Sequence, residues 1–586
     1  MFRRAFLKAS AVSPALLACQ GPQPERGPSS IAVSSKWIDV HCHVFNGRDL
    51  PIYEFIKKTR LSRANPGDWL ISALVAFLAG TLQRRSPSVA DELALLDAPL
   101  TPASGTVSMA ADPAICLKRL RARAGDTNGT AGDPAAEPDG APVGLFGAPR
   151  DRMALMMLDT ALRETAIRAP SGSGARVPPP PSDHELEQLG SMIQEHREAG
   201  SADRGSMDAG SAGRSGLHPG LGAVLGRYFN WGLMFASTRD SLVGSLASLY
   251  PSNASLMLTP AIVDYDAWLG SPDTKPEDQL QVMERIMILR ARQGMPVHSF
   301  AAFDPWRCLR LRSKGVDSLA QLTTALERGA AIGVKLYPPM GFAPTGNAER
   351  DTARHPFPAG LIKLTKGRPG HELDNVLDEL LDYCAANGVP VMAHCGPSNA
   401  IARNYADLAA PFYWRKALAK KRPHRQELRL NLGHFGGIWD LGPGEPIQRQ
   451  WAQDIAAVMQ DYPNVYADIG YFGAVLHPEQ PDVETATVGF IADLANRPGS
   501  ALRGRLMYGS DWSMIGPEPS SSLYASRAVE ALAPVWSGDQ QDDLTWRNAA
   551  RFLGLGRADD TRKRLLQAYA THKVDPAPLW TFDPAV

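Results

Sequence analysis

Neither sign of charge is in excess: 61 Lys and Arg face 61 Asp and Glu, for a formal net charge of zero. A chain whose main partner is nucleic acid or another polyanion carries a basic surplus, so that class is excluded. Cysteine is scarce, six in 586 residues, and its spacing matches neither a disulfide framework nor a zinc knuckle. Long apolar runs are scarce too. The uncharged stretch 69–82 is shorter than the roughly 20 residues a bilayer-spanning helix needs, so it is expected to be a buried helix. What the chain does have is 44% hydrophobic residues, enough for the large core of a soluble globular protein.

The first 19 residues read as an address. Arg3 and Arg4, then Phe6, Leu7, Lys8 and a short mild apolar run, are similar to a twin-arginine export signal. Leu16, Leu17, Ala18 and Cys19 resemble a lipobox, which makes Cys19 the expected lipidation site and the anchor the only expected membrane contact. The expected location is therefore the periplasm or cell envelope. Folded export suits a metalloprotein, because the metal can be loaded before release.

Residues 20–36 read as a tether, and 37–60 as a first strand and its loop. Within 61–250 the Gly/Ala/Pro/Ser-rich stretches 125–147, 171–182 and 200–216 bury too little surface to order. Between them, Met153, Met156, Met157 and Leu162 recur at near-helical spacing. The whole span is expected to be an insertion, part helical and part disordered. From 251 to 556 apolar runs alternate with helical segments, the rhythm of a parallel β/α fold. The runs are 256–263, 296–303, 332–337, 390–394, 428–433, 465–469 and 506–510; the run at 37–40 makes eight. Eight such units predict a TIM-type (β/α)8 barrel, interrupted after its first strand, with its active site at the C-terminal ends of the strands. Residues 557–586 read as a C-terminal tail.

Chemistry collects at those ends. His41 and His43 stand one residue apart at the end of the first run, where an extended backbone turns both rings the same way. His394 ends the fifth run, His434 the sixth and Asp511 the eighth, while Lys335 lies within the fourth. Imidazoles and a carboxylate converging on one rim are the donor set of a divalent metal. Asp304 and Arg307 follow the third run, Asp468 ends the seventh, and Trp512 follows Asp511; all four are candidates for touching substrate. His298 lies near the start of its run, at the opposite end of the barrel. Cys42 and Cys395 flank ligand candidates and should point away from them, buried and inert.

The phrases DVHCHVF, GVKLYP, MAHCG, LGHFGG, NVYADIG, YGSDW and WRNAARFLGL, in that order, resemble the amidohydrolase superfamily. Their details resemble the branch with aminocarboxymuconate-semialdehyde decarboxylase and dicarboxylate lactonase. The resemblance covers 37–56 and 251–556. It implies that His41, His43, His394 and Asp511 hold one divalent metal, most often zinc. It implies that Asp511 takes and returns the proton of an attacking water. His434 would orient or polarise a substrate carbonyl, or act as acid or base. Lys335 would pair with a substrate carboxylate or, if carboxylated, bridge two metals, the second held by His434. The expected activity on a small molecule is hydrolysis of an amide, ester or lactone. The alternatives are decarboxylation of a small carboxylated or aromatic substrate, and a non-catalytic, envelope-tethered binding barrel.

Overall fold

The computed structural model describes residues 34–52, 54–55, 83, 86–97 and 234–585, the last span without 399, 403, 440, 442–445, 478–479 and 517–520. The export signal, Cys19, the 69–82 run, the Met stripe and the three low-complexity stretches lie outside the described residues. The chain divides into two compact units, and the larger comprises Ala32–Arg63, Pro87–Pro99 and Thr238–Val586. The helices Val89–Asp97 and Arg239–Ala247, expected to belong to the insertion, thus fall in the same unit as the strands.

This unit is α/β with parallel strands. In chain order they are β1 (Lys36–Cys42), β2 (Ser255–Pro260), β3 (Phe300–Ala302), β4 (Gly333–Leu336), β5 (Val391–His394), β6 (Leu430–Gly433), β7 (Val465–Asp468) and β8 (Leu506–Met507). β1 pairs with β2, and β3 through β8 form a sheet in sequence order. Parallel bridges from Leu258 to Val297 and from Ala261 to Phe300 join β2 to the approach of β3. At the other side, Val40 N donates to Tyr508 O at 3.4 Å and Asp511 N to His41 O at 2.6 Å. Helices intervene between the strands, for example Pro276–Arg292, Pro369–Ala386, Pro446–Asp461 and Pro481–Ala495.

The core explains why these segments pack. Ile38, Val40, Met257, Phe300, Met392, Tyr466 and Met507 from the strands meet Trp546, Phe552, Leu553 and Tyr569 from the C-terminal helices. Phe300 stacks on Phe552 with ring centroids 6.2 Å apart; burying one such ring contributes about 2–3 kcal/mol. Gly333 opens β4 because there is no room for more: a Cβ would sit 2.6 Å from the Phe300 ring and 2.3 Å from Pro390 O. Residues 557–586, expected to be a tail, instead carry the helix Asp560–Thr571, whose Leu565, Ala568 and Tyr569 are buried on one face. Among the described residues, no helix is long and apolar enough to cross a membrane.

Candidate metal and catalytic site

β1 reaches the site through an irregularity. Asp39 pairs with Leu258 and Cys42 with Pro260, so β1 holds one residue more than β2 across that interval. Such a bulge re-aims the side chains beside it. His41 and His43 emerge with ring centroids 5.6 Å apart. Both are buried, at 0% and 8% exposure, so each ring nitrogen needs a partner.

The partners settle which nitrogen faces where. His41 Nδ1 lies 2.9 Å from both Asp468 oxygens, and His43 Nδ1 lies 2.9 Å from Ala261 O. A carboxylate and a carbonyl only accept, so both rings carry their proton on Nδ1 and keep a lone pair on Nε2. His43 Nε2 stands 3.6 Å from Asp511 Oδ1. His41, His43 and Asp511 place one ligand atom each within 4.8 Å of the others, all buried. Buried lone pairs and a buried carboxylate converging on one point call for a cation, and imidazole with carboxylate suits a divalent metal. The donor set fits.

Lys335 already stands at this point. Its Nζ donates to His41 Nε2 at 3.1 Å and to Met392 Sδ at 3.4 Å. Burial lowers its ammonium from the usual value to about 8, against the opposing pull of Asp468 and Asp511. Burial also pushes His43 down to about 3, with Asp511 opposing, and His434 down to about 4, aided by His41. These rings are therefore neutral bases at neutral pH.

Asp468, expected to face substrate, is a positioning group instead. Besides His41 it accepts from Asn431 Nδ2 at 2.7 Å, His434 N at 3.1 Å and Gly470 N at 2.8 Å. Burial alone would raise its pKa, but the adjacent His41 and these donors hold it far below the usual carboxylate range. His434 Nδ1 donates to Gly470 O at 2.8 Å, so its Nε2 accepts and cannot polarise a carbonyl while the ring is neutral. His394 adjoins the group, its ring 4.5 Å from that of His434 and 4.7 Å from that of Tyr337. Its Nε2 turns to Gly396 O at 3.2 Å, which leaves His394 outside the closely spaced ligand groups.

Arg307 and Asp304, expected to touch substrate, are both engaged by other groups of the protein. Arg307 pairs with Glu277 at 2.5 Å and lies 3.7 Å from Asp264 and 3.9 Å from Asp266, an acidic surround that repels a substrate carboxylate. Asp304 caps the helix Pro305–Arg312, accepting from Arg307 N at 2.7 Å, and accepts the Trp268 indole N–H at 2.5 Å. Trp512 is buried at the start of the short helix that follows Asp511. Cys42 and Cys395 are free and buried.

Backbone strain gathers at the same rim. His434, Phe435, Tyr471 and Asp511 have φ of 67°, 42°, 56° and 50°, all just past the ends of β6, β7 and β8. Left-handed non-glycine residues cost about 1–3 kcal/mol each and cluster where side chains are aimed for function. No sequence pattern announces them.

Parallel strands whose C-terminal ends bring imidazoles and carboxylates to one buried point define an α/β protein with a strand-end chemical site. Residues 304–555 match the model of the amidohydrolase family, Amidohydro_2. That stretch contains Lys335, His394, His434, Asp468 and Asp511, whereas His41 and His43 precede it. A crystal structure of an amidohydrolase II aligns with 54% of this chain and 89% of its own, at 16% identity and a TM-score of 0.30. No curated protein matches the chain.

Proposed function

We propose that this protein is an exported, metal-dependent hydrolase of the amidohydrolase family, acting on an amide, ester or lactone of a small molecule. The observation that carries the reading is the pair of Nε2 lone pairs on His41 and His43, fixed by their Nδ1 partners and facing the Asp511 carboxylate. The eight strands are read as a closed (β/α)8 barrel, supported by the backbone bonds from β1 to the end of β8. Export and lipidation at Cys19 rest on the N-terminal sequence. Trp512 is carried forward as a wall of the pocket.

His41, His43 and Asp511 would hold one divalent ion, zinc suiting the donors best, with His394 joining by a turn of its ring. A bound ion supplies Lewis acidity that polarises a carbonyl and acidifies water. Asp511 accepts the proton of the attacking water and returns it to the leaving group. His434, with Nδ1–H fixed on Gly470 O, presents Nε2 as a second base. Asp468 keeps His41 in its tautomer throughout.

The test measures ester and lactone hydrolysis, carbon dioxide release from aromatic carboxylates, and metal content, on wild type and on the His41→Ala/His43→Ala variant. Hydrolysis and metal, both lost in the variant, are expected. Wild-type metal content and rates in the variant would sink the assignment, and carbon dioxide release without hydrolysis would establish the decarboxylase alternative.

A further inference from the structure

Asp39 lies two residues before His41, is fully buried, and touches no ligand atom, yet its carboxylate ties the backbone of His41 in β1 to Ser510 after β8. The bulge in β1 and the early end of β8 leave backbone N–H groups there without a ladder partner. Buried N–H groups must be satisfied, and the Asp39 carboxylate does it. Its Oδ1 accepts from His41 N at 3.3 Å and from Ser510 N at 3.0 Å. Its Oδ2 accepts from Ser510 Oγ at 2.5 Å and from Tyr250 Oη at 2.7 Å.

One carboxylate thus holds the backbone of His41 and the whole of Ser510, the residue before Asp511. Asp511 is in the left-handed region at φ 50° and donates its own N–H to His41 O at 2.6 Å. Its carboxylate meets His43 as the outcome of that arrangement. We infer that Asp39, acting through Ser510, is the positioning residue that sets the separation of the His41–His43 pair from Asp511. The inference rests on reading this group as the metal centre. Tyr250 shares the carboxylate but touches none of the ligand residues, so it stabilises the junction without aiming Asp511.

The difference between Ser510 and Tyr250 gives the test. Cobalt(II) is titrated into full-length, metal-free wild type, Ser510→Ala, Tyr250→Phe, Asp39→Asn and Asp39→Ala, reading the visible spectrum and the affinity. Loss of a group that orients ligands lowers metal affinity by roughly 10–100-fold. Ser510→Ala and Asp39→Ala should show a loss in that range and an altered spectrum, with Asp39→Asn between them and wild type. Tyr250→Phe should lower the melting temperature and leave affinity and spectrum at wild type. Equal effects of Ser510→Ala and Tyr250→Phe on affinity and spectrum, or a wild-type spectrum in Asp39→Ala, overturn the inference. If Asp39→Ala does not fold, the Ser510 and Tyr250 variants decide. Should wild type itself take up no cobalt, the metal reading fails. The positioning role is then judged from a crystal structure of Ser510→Ala, where an undisplaced Asp511 carboxylate refutes it.

Discussion

Gly433, Gly470 and Gly509 stand at the ends of β6, β7 and β8, and a methyl group on any of them would press on His41. The added Cβ would lie 3.0 Å from the ring at Gly433, 2.9 Å from Nδ1 at Gly470, and 2.8 Å from the His41 Cβ at Gly509. None of the three has positive φ, so what they supply is space. Gly470→Ala would also place its methyl 2.8 Å from Asp468 Oδ1, wedging apart the bond that fixes the His41 tautomer. That variant should keep wild-type circular dichroism and lose about tenfold or more in zinc affinity by competition with a chelator; unchanged affinity would show that His41 has slack. A second residue-scale consequence concerns acid stability. His298, 1% exposed, stacks on Tyr569 with Nε2 3.0 Å from its hydroxyl, and burial lowers its pKa to about 3. Between about pH 6.5 and pH 3 the unfolded chain therefore binds one proton more at this position, so stability falls as pH falls through that window. His298→Phe keeps the stack and removes the titration. Its unfolding free energy between pH 6 and pH 4 should fall less steeply than wild type by up to about 1.4 kcal/mol per pH unit, as read by urea denaturation; parallel slopes would exclude His298 as a contributor.

At the level of elements, the apolar runs were legible because buried parallel strands need continuous hydrophobic residues, and all eight became strands. Their ends were less legible. β8 stops at Met507 because Tyr508 N leaves the ladder to donate to Leu544 O at 2.9 Å, a bond between segments that no local pattern encodes. The site was legible as far as residue type at strand ends goes, and His41, His43 and Asp511 do converge. Side-chain direction was not legible: Arg307 sits among carboxylates contributed by other segments, and Asp468 turns to His41. Nor was it readable that Arg239 opens a helix buried against Asp49 and Glu92. Its guanidinium pairs with both carboxylates, its backbone N–H donates to Glu92 at 2.7 Å, and Asn46 Nδ2 donates to Glu92 at 2.9 Å. This triad fastens the helices Val89–Asp97 and Arg239–Ala247 to the loop after β1, which carries His43 into the site. Removing one member of a buried ion group leaves the others uncompensated, at about 3–5 kcal/mol. Arg239→Ala should lower the unfolding free energy by that amount in urea; a change under about 1 kcal/mol would mean that water solvates the pair of carboxylates.

Across the whole molecule, the site joins distant parts of one chain: Asp39 and Ser510, which frame it, are 471 residues apart. A metal bound there favours the folded chain over the unfolded one in proportion to its saturation. Yet the His41 Nε2 lone pair that would bind metal is the one accepting from Lys335 Nζ, and it cannot do both. Metal uptake must therefore displace the Lys335 ammonium, and the stoichiometry then tells what becomes of the lysine. If Lys335 only withdraws, Lys335→Met removes a competitor: the variant should retain one metal per chain by elemental mass spectrometry and bind it at least as tightly as wild type. Its melting temperature should rise on adding zinc as the wild type's does. If Lys335 is carboxylated and bridges two ions, wild type carries two per chain and Lys335→Met loses at least one, with affinity falling. We expect the first result, because Lys335 Nζ is held between His41 Nε2 and the Met392 thioether, and a thioether sulfur accepts a hydrogen bond from an ammonium but does not stabilise a second negative charge. Two metals per chain in wild type, falling to one in the variant, would reverse that assignment and make Lys335 part of the metal centre.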